Sequence, residues 1–151
     1  MEFEFALAQV EFLKGDYQKS IDILSGASAK NPEHPMPYWK ISQAYHFMGN
    51  DDKAIPYLEK ALYLGHGPRD AREVLWAEKW YVDQQDFAKI IYIDKTMLWA
   101  VGEVEQIRLH MNMAVAYAQL GNKEKAQEHA EAIAQLDPTQ RQAVDAFLQA
   151  F

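Results

Sequence analysis

Cysteine is absent from the 151 residues, which excludes a disulfide framework, a thiolate metal site and a cysteine nucleophile. That absence fits a cytoplasmic protein and leaves an exported one open. Threonine occurs twice against 21 alanines, a choice that favours helix because alanine loses no side-chain rotamers there. Basic residues are outnumbered 15 to 22, for a formal charge of −7. Such a surface cannot replace counterions along phosphates, so nucleic acid is not an expected partner. No apolar run approaches the roughly 20 residues that span a bilayer. The opening Met1-Glu2-Phe3-Glu4 is no signal peptide either, so this segment is not expected to insert in a membrane. What is present is an ordinary apolar share, 49%, enough to form a core in one domain or one short repeat array.

Three segments of the chain align with one another. The first runs Leu7-Ala8, Gly15-Asp16-Tyr17, Ser20, Leu24, Ala27 and Pro32. The second runs Ile41-Ser42, Tyr45, Gly49-Asn50, Ala54, Leu58 and Ala61. The third runs Met113-Ala114, Tyr117, Gly121-Asn122, Ala126 and Pro138. Their glycines stand at 15, 49 and 121, one interval of 34 and one of two 36-residue steps, which predicts a degraded unit between them. Residues 71–104 supply it, with a helical stretch from Ala71 to Val82, a polar break at Asp83-Gln84-Gln85, and Asp86-Phe87 opening a second helix.

The period and the order of residues resemble the tetratricopeptide repeat (TPR), a helix–turn–helix unit, over roughly residues 2–138. The resemblance implies an all-α, right-handed solenoid of about four repeats (1–34, 35–68, 71–104 and 107–140) with a C-terminal capping helix at 139–151, all in a single domain. The third unit departs from the pattern by placing Gln85 where the turn glycine belongs, and the first by placing Glu11 where an aromatic is usual.

The residues carry a physical reading of their own. Leu7, Ile41 and Met113 each precede a small residue, and Ser20, Ala54 and Ala126 offer matching gaps on the following helix. Gly15, Gly49 and Gly121 stand where a helix ends in the left-handed conformation. Asp16, Asn50 and Asn122 are then placed to cap the next helix. Pro32 and Pro138 punctuate the units, and Pro56 falls near a helix start, where a slight bend is expected. After Pro138, Val144, Phe147, Leu148 and Phe151 form one apolar stripe, as a terminal cap requires. The chain opens inside the first helix of a unit with Phe3 and Phe5, which reads as the C-terminal portion of a longer protein.

Chemistry is harder to find. His34, His46, His66, His110 and His129 form no H-E-x-x-H pair. His34, His66 and His129 read as surface residues and His46 as a lone inner-helix imidazole, so no metal site is expected. Asp51-Asp52, Glu103/Glu105 and Glu124/Glu128/Glu131 read as solvated faces and helix starts. There is no phosphate loop and no nucleophile elbow. Neither a catalytic residue nor a cofactor is expected.

The resemblance implies instead a peptide-binding groove lined by the first helix of each unit. The matching positions are Phe5, Gln9 and Phe12; Trp39, Gln43, His46 and Phe47; Leu75, Lys79 and Val82; and Arg108, Met111, Val115 and Gln119. Phe5, Trp39 and Met111 stand where family members that clamp a carboxylate carry lysine, so an apolar or extended segment of a protein partner is the expected ligand. Trp76, Trp80 and Trp99 are expected to pack between helices. The chain is expected to be a monomer or weak homodimer, and the alternative role is a structural spacer or self-association element of a larger bacterial assembly, with membrane attachment left open.

Overall fold

The computed structural model describes residues 1–150; Phe151, the last member of the expected capping stripe, lies outside the described residues. Nine α-helices and three short 3-10 turns, with no strand, make up the described residues. In chain order the helices are α1 (Glu2–Leu13), α2 (Tyr17–Lys30), α3 (Pro35–Phe47), α4 (Asp51–Tyr63), α5 (Leu75–Asp83), α6 (Phe87–Met97), α7 (Glu103–Gln119), α8 (Lys123–Leu136) and α9 (Arg141–Gln149). They gather into two compact units, Met1–Gly67 and Pro68–Phe151.

In the first unit α1 packs on α2, α2 on α3, and α3 on α4, so each helix meets its neighbours in sequence. The hairpin turns form as the glycine spacing predicts, with Gly15 at φ +83° and Gly49 at φ +72°. Asp16 and Asn50 then cap α2 and α4 by accepting from the backbone N–H of Lys19 and Lys53. Ala8, Ile21, Leu24, Ile41 and Ala44 form the buried core, flanked by Phe5, Phe12 and Tyr45. Ser20 fills its expected gap and donates its hydroxyl to the Ala8 carbonyl at 2.8 Å, so the small side chain is also satisfied. Leu7 does not follow Ile41 into the core. It is 38% exposed, because among the described residues of this unit no helix covers that face of α1.

In the second unit α5 packs on α6, α6 on α7, α7 on α8, and α8 on α9. The expected helix from Ala71 is broken. A 3-10 turn occupies Ala71–Glu73, Val74 leaves helical geometry at φ −125°, and α5 starts at Leu75. At the α5–α6 turn Gln85 adopts φ +55°, the left-handed conformation taken by glycine in the other hairpins. Asp86 and Asn122 cap α6 and α8. The short α9 buries Val144 against Ala114, Ala130 and Ile133, with Phe147 and Leu148 beside it. Arg141 ties α9 to Glu131 of α8 at 2.9 Å. Trp99 departs from the expected packing role. It sits in a 3-10 turn after α6 and is 69% exposed.

Candidate functional site

The first unit uses most of its expected groove residues internally. Trp39 is only 7% exposed and packs on the His66 ring at 4.3 Å, which corrects its assignment to an open groove wall. His66, expected at the surface, is thereby part of the packing. Gln9 accepts from the Lys40 ammonium at 2.9 Å, bridging α1 and α3, and burial pulls the Lys40 pKa below its ordinary value. Phe5 is half-buried against His34. Phe12 sits edge-on to Tyr17 and Phe47 at 5.1 and 5.2 Å, with Phe47 more than half exposed. His46 pairs with Asp51 at 2.7 Å, and Gln43 is half-buried.

The second unit presents its residues differently. Arg108, Met111, Asn112 and Val115 fall at i, i+3, i+4 and i+7, one stripe along α7. Met111 and Val115 are 49% and 42% exposed, large values for apolar side chains on a packed helix. They open onto an apolar recess of about 270 Å³ that Ile133, Val144 and Phe147 complete. On the other flank of the stripe, Arg108 and Asn112 line a second recess of about 360 Å³ with Leu75, Glu78, Lys79 and Val82 of α5. Of the expected site residues, the structure thus brings Lys79 together with Arg108, and Met111 with Val115.

Two buried polar groupings were not anticipated. Glu78 is 4% exposed and binds Arg108 through both carboxylate oxygens, while Asn112 donates to it at 2.7 Å. Arg108 also donates to Glu105 at 2.7 Å, and its two acids raise its pKa further. Asp94 of α6 has no exposed surface and feels the charges of Glu78, Arg108 and Glu105. A sequence signal existed for Asp94, since it stands on the apolar stripe of Ile90 and Met97. His129, expected at the surface, is 7% exposed, with its Nδ1 2.8 Å from that of His110 and its ring stacked on Tyr117. Burial and the neighbouring His110 push the His129 imidazole down to about 4. The i-to-i+4 pattern from Ala126 and Ala130 to Ile133 and Ala134 leaves His129 on the buried side of α8, which periodicity alone signals.

Comparison with known proteins meets this architecture directly. Residues 107–140 match the sequence profile described as tetratricopeptide repeat, and residues 37–64 match a second profile of the same description. The chain carries two segments that match the tetratricopeptide repeat. No curated protein sequence matches this TPR chain. Among solved structures it is similar to MamA (residues 41 to the end) from Desulfovibrio magneticus RS-1, with 16% identity over 91% of this chain and 75% of that one and a TM-score of 0.55. It is also similar to YrrB, described as a TPR protein with an unusual peptide-binding site, with 17% identity over 95% of this chain and 72% of that one and a TM-score of 0.54. PilF of Pseudomonas aeruginosa shares 17% identity over 97% of this chain and 65% of its own, with a TM-score of 0.50. At these identities the likeness establishes the all-α helical repeat fold. The TPR fold is a general protein-interaction module.

Proposed function

We propose that the chain is an interaction module that holds a peptide or helical segment of a partner protein against the exposed face of α7. The observation that carries this reading is the recess beside Met111 and Val115. A half-exposed methionine and valine flank an apolar hollow of about 270 Å³, sized for the side chain of another molecule. Burying one aliphatic or aromatic side chain there is worth roughly 1.5–3 kcal/mol, of which the ordering of the ligand takes a share. In the first unit, partly buried Phe12 and exposed Phe47 form the corresponding surface. YrrB, by its description, has a peptide-binding site on the same fold. The role is non-catalytic.

The test is capture of the natural partner by wild type and by the Met111→Glu/Val115→Glu variant. Both positions are exposed, so the helical circular dichroism and the unfolding midpoint should hold while affinity falls at least tenfold. Unchanged capture by the folded variant overturns the assignment. A second reading, self-association, is favoured by a different observation. Phe3, Leu7 and Val10 form an exposed apolar stripe on α1, 78%, 38% and 46% exposed. Light scattering separates the readings, because a mass that stays monomeric from micromolar to millimolar concentration rules out self-association.

A further inference from the structure

Trp99 is the residue of the second unit that the packing of its helices leaves unexplained. Its side chain is 69% exposed, and its indole N–H, unlike that of Trp76, meets no acceptor among the described residues. A tryptophan in that position leaves a large apolar area in water, and tryptophan is the side chain most enriched where proteins meet. The turn that carries it is fixed in place. Gln106 of α7 donates its amide to the Leu98 and Val101 carbonyls at 3.4 and 3.2 Å, which pins Trp99 to the N-terminal end of α7. Val104, in the first turn of that helix, is 84% exposed and falls on the same stripe as Arg108, Met111 and Val115.

The recess beside Met111 and Val115 is the complementary shape. An apolar cavity of about 150 Å³ admits a benzene ring, so about 270 Å³ has room for an indole. Its walls are aliphatic and aromatic except for Gln140. Gln140 spends an amide N–H on the Asp137 carboxylate at 3.2 Å, and its carbonyl oxygen remains to accept from an indole N–H. Met111 adds a polarizable sulfur suited to the edge of an aromatic ring. We propose that this recess receives Trp99 of a second copy of the chain, so that without a partner the α7 face is masked in a two-fold dimer.

A two-fold axis lets both copies give and receive at once. With the axis across α7 near Ile107 and Arg108, the two helices run antiparallel. Val104 stands about 5 Å from the axis on one side and Met111 about 5 Å on the other, at 1.5 Å per residue. Val104 of one copy therefore meets Met111 of the other, and Trp99, beyond the start of α7, is carried over the stretch that holds Val115. Arg108 lies near the axis, where Glu78 and Glu105 already offset its charge, so the two guanidiniums do not oppose the approach. Two seated tryptophans bury about 300–500 Å² of their own surface, a fraction of the roughly 1,200–2,000 Å² in a stable complex. The dimer is accordingly weak, and a partner segment on the same face displaces it. The inference rests on the α7-face reading and adds its regulation: partner and second copy exclude each other.

The experiment is light scattering of the full chain from micromolar to millimolar concentration, with nuclear magnetic resonance on the same samples. The expected result is a mass that climbs towards twice that of the monomer. The Trp99 indole N–H and the Ala143 and Val144 amide signals should shift over the same range. Trp99→Ala and, separately, Met111→Glu/Val115→Glu should each raise the dimer dissociation constant at least tenfold with the helical circular dichroism retained. Phe3→Glu should leave that constant unchanged. Acetyl-tryptophan amide, added to the Trp99→Ala chain, should shift the Ala143 and Val144 signals, and acetyl-alanine amide should not. A wild-type chain that stays monomeric, a dimer that survives Trp99→Ala, a dimer that Phe3→Glu dissolves, or equal shifts with acetyl-alanine amide would each overturn the proposal. Partner capture distinguishes the two levels. If capture depends on Met111 and Val115 while the wild type stays monomeric, the masking is wrong and the α7 face stands; if the dimer behaves as described and that variant captures normally, the partner reading falls and the dimer stands.

Discussion

At one and the same position of the repeat the first unit carries Trp39 and the second Met111. Trp39 is 7% exposed beneath His66, whereas Met111 is 49% exposed at the mouth of a recess. The contrast extends to polar residues. Gln9 of the first unit is held by Lys40, while Arg108 of the second is held by two acids whose charge it does not cancel. A repeat position therefore specifies a direction along a helix, and the volume left by neighbouring side chains decides whether what points there is core or contact surface. Large aromatics in the first unit close its gaps; small residues such as Ala114, Ala130 and Ala143 in the second leave one open.

The sharpest way to break this comparison is to remove an acid from the second unit. Glu78→Ala leaves Arg108 partly buried without its main partner, and truncating one member of a buried pair costs about 3–5 kcal/mol, here discounted to about 3 because the guanidinium is partly solvated. Urea unfolding should show that loss; a change under about 1 kcal/mol would mean the network is solvated and inert.

Next in size is the response to pH. His129 is held down at about 4 in the folded chain against about 6.5 unfolded, so the unfolded state binds more protons between these values. Its contribution is present above pH 6.5 and is lost as pH falls towards 4. Asp94 works in the opposite sense. Its folded pKa of about 8 exceeds the unfolded 3.8, so the folded state binds the extra proton and stability drains as pH rises from 4 to 8. Unfolding midpoints across pH should flatten on the acid side in His129→Gln and on the neutral-to-alkaline side in Asp94→Asn. Identical slopes in both variants would contradict the assignment.

A smaller pair of effects tests the turns. Gln85→Gly should stabilise the α5–α6 hairpin by about 0.5–1 kcal/mol, because glycine accepts φ +55° without strain. Gly49→Ala should destabilise by about 1 kcal/mol, and the cost is conformational, since an added β-carbon meets nothing within 4 Å. The smallest stability effect belongs to Met111→Glu/Val115→Glu, within about 0.5 kcal/mol of wild type, as exposed positions allow.

Much of this was legible in the residues. The glycine spacing located three hairpin turns, and Asp16, Asn50 and Asn122 announced the helix starts that they cap. Those features are local, and a sequence states local preference well. Arg108, Met111 and Val115 share one stripe of α7, which helical spacing alone states. Trp39 and Trp99 escape a sequence reading because burial depends on which distant side chain arrives, whereas the periodicity of α8 already places His129 on its buried side. His66 from the loop after α4 covers Trp39, and His110 from α7 pairs with His129. Glu78 and Asp94 stand at apolar-stripe positions and could have been flagged by periodicity; their convergence with Arg108 needs the packing of α5, α6 and α7.

The most direct test of the α7 face is a photo-crosslinking amino acid placed in turn at Val115 and at Phe3, with the adducts identified by mass. The account predicts a partner-protein adduct from position 115 and none from position 3. An adduct between two copies of the chain from position 3, with nothing captured at 115, would contradict it.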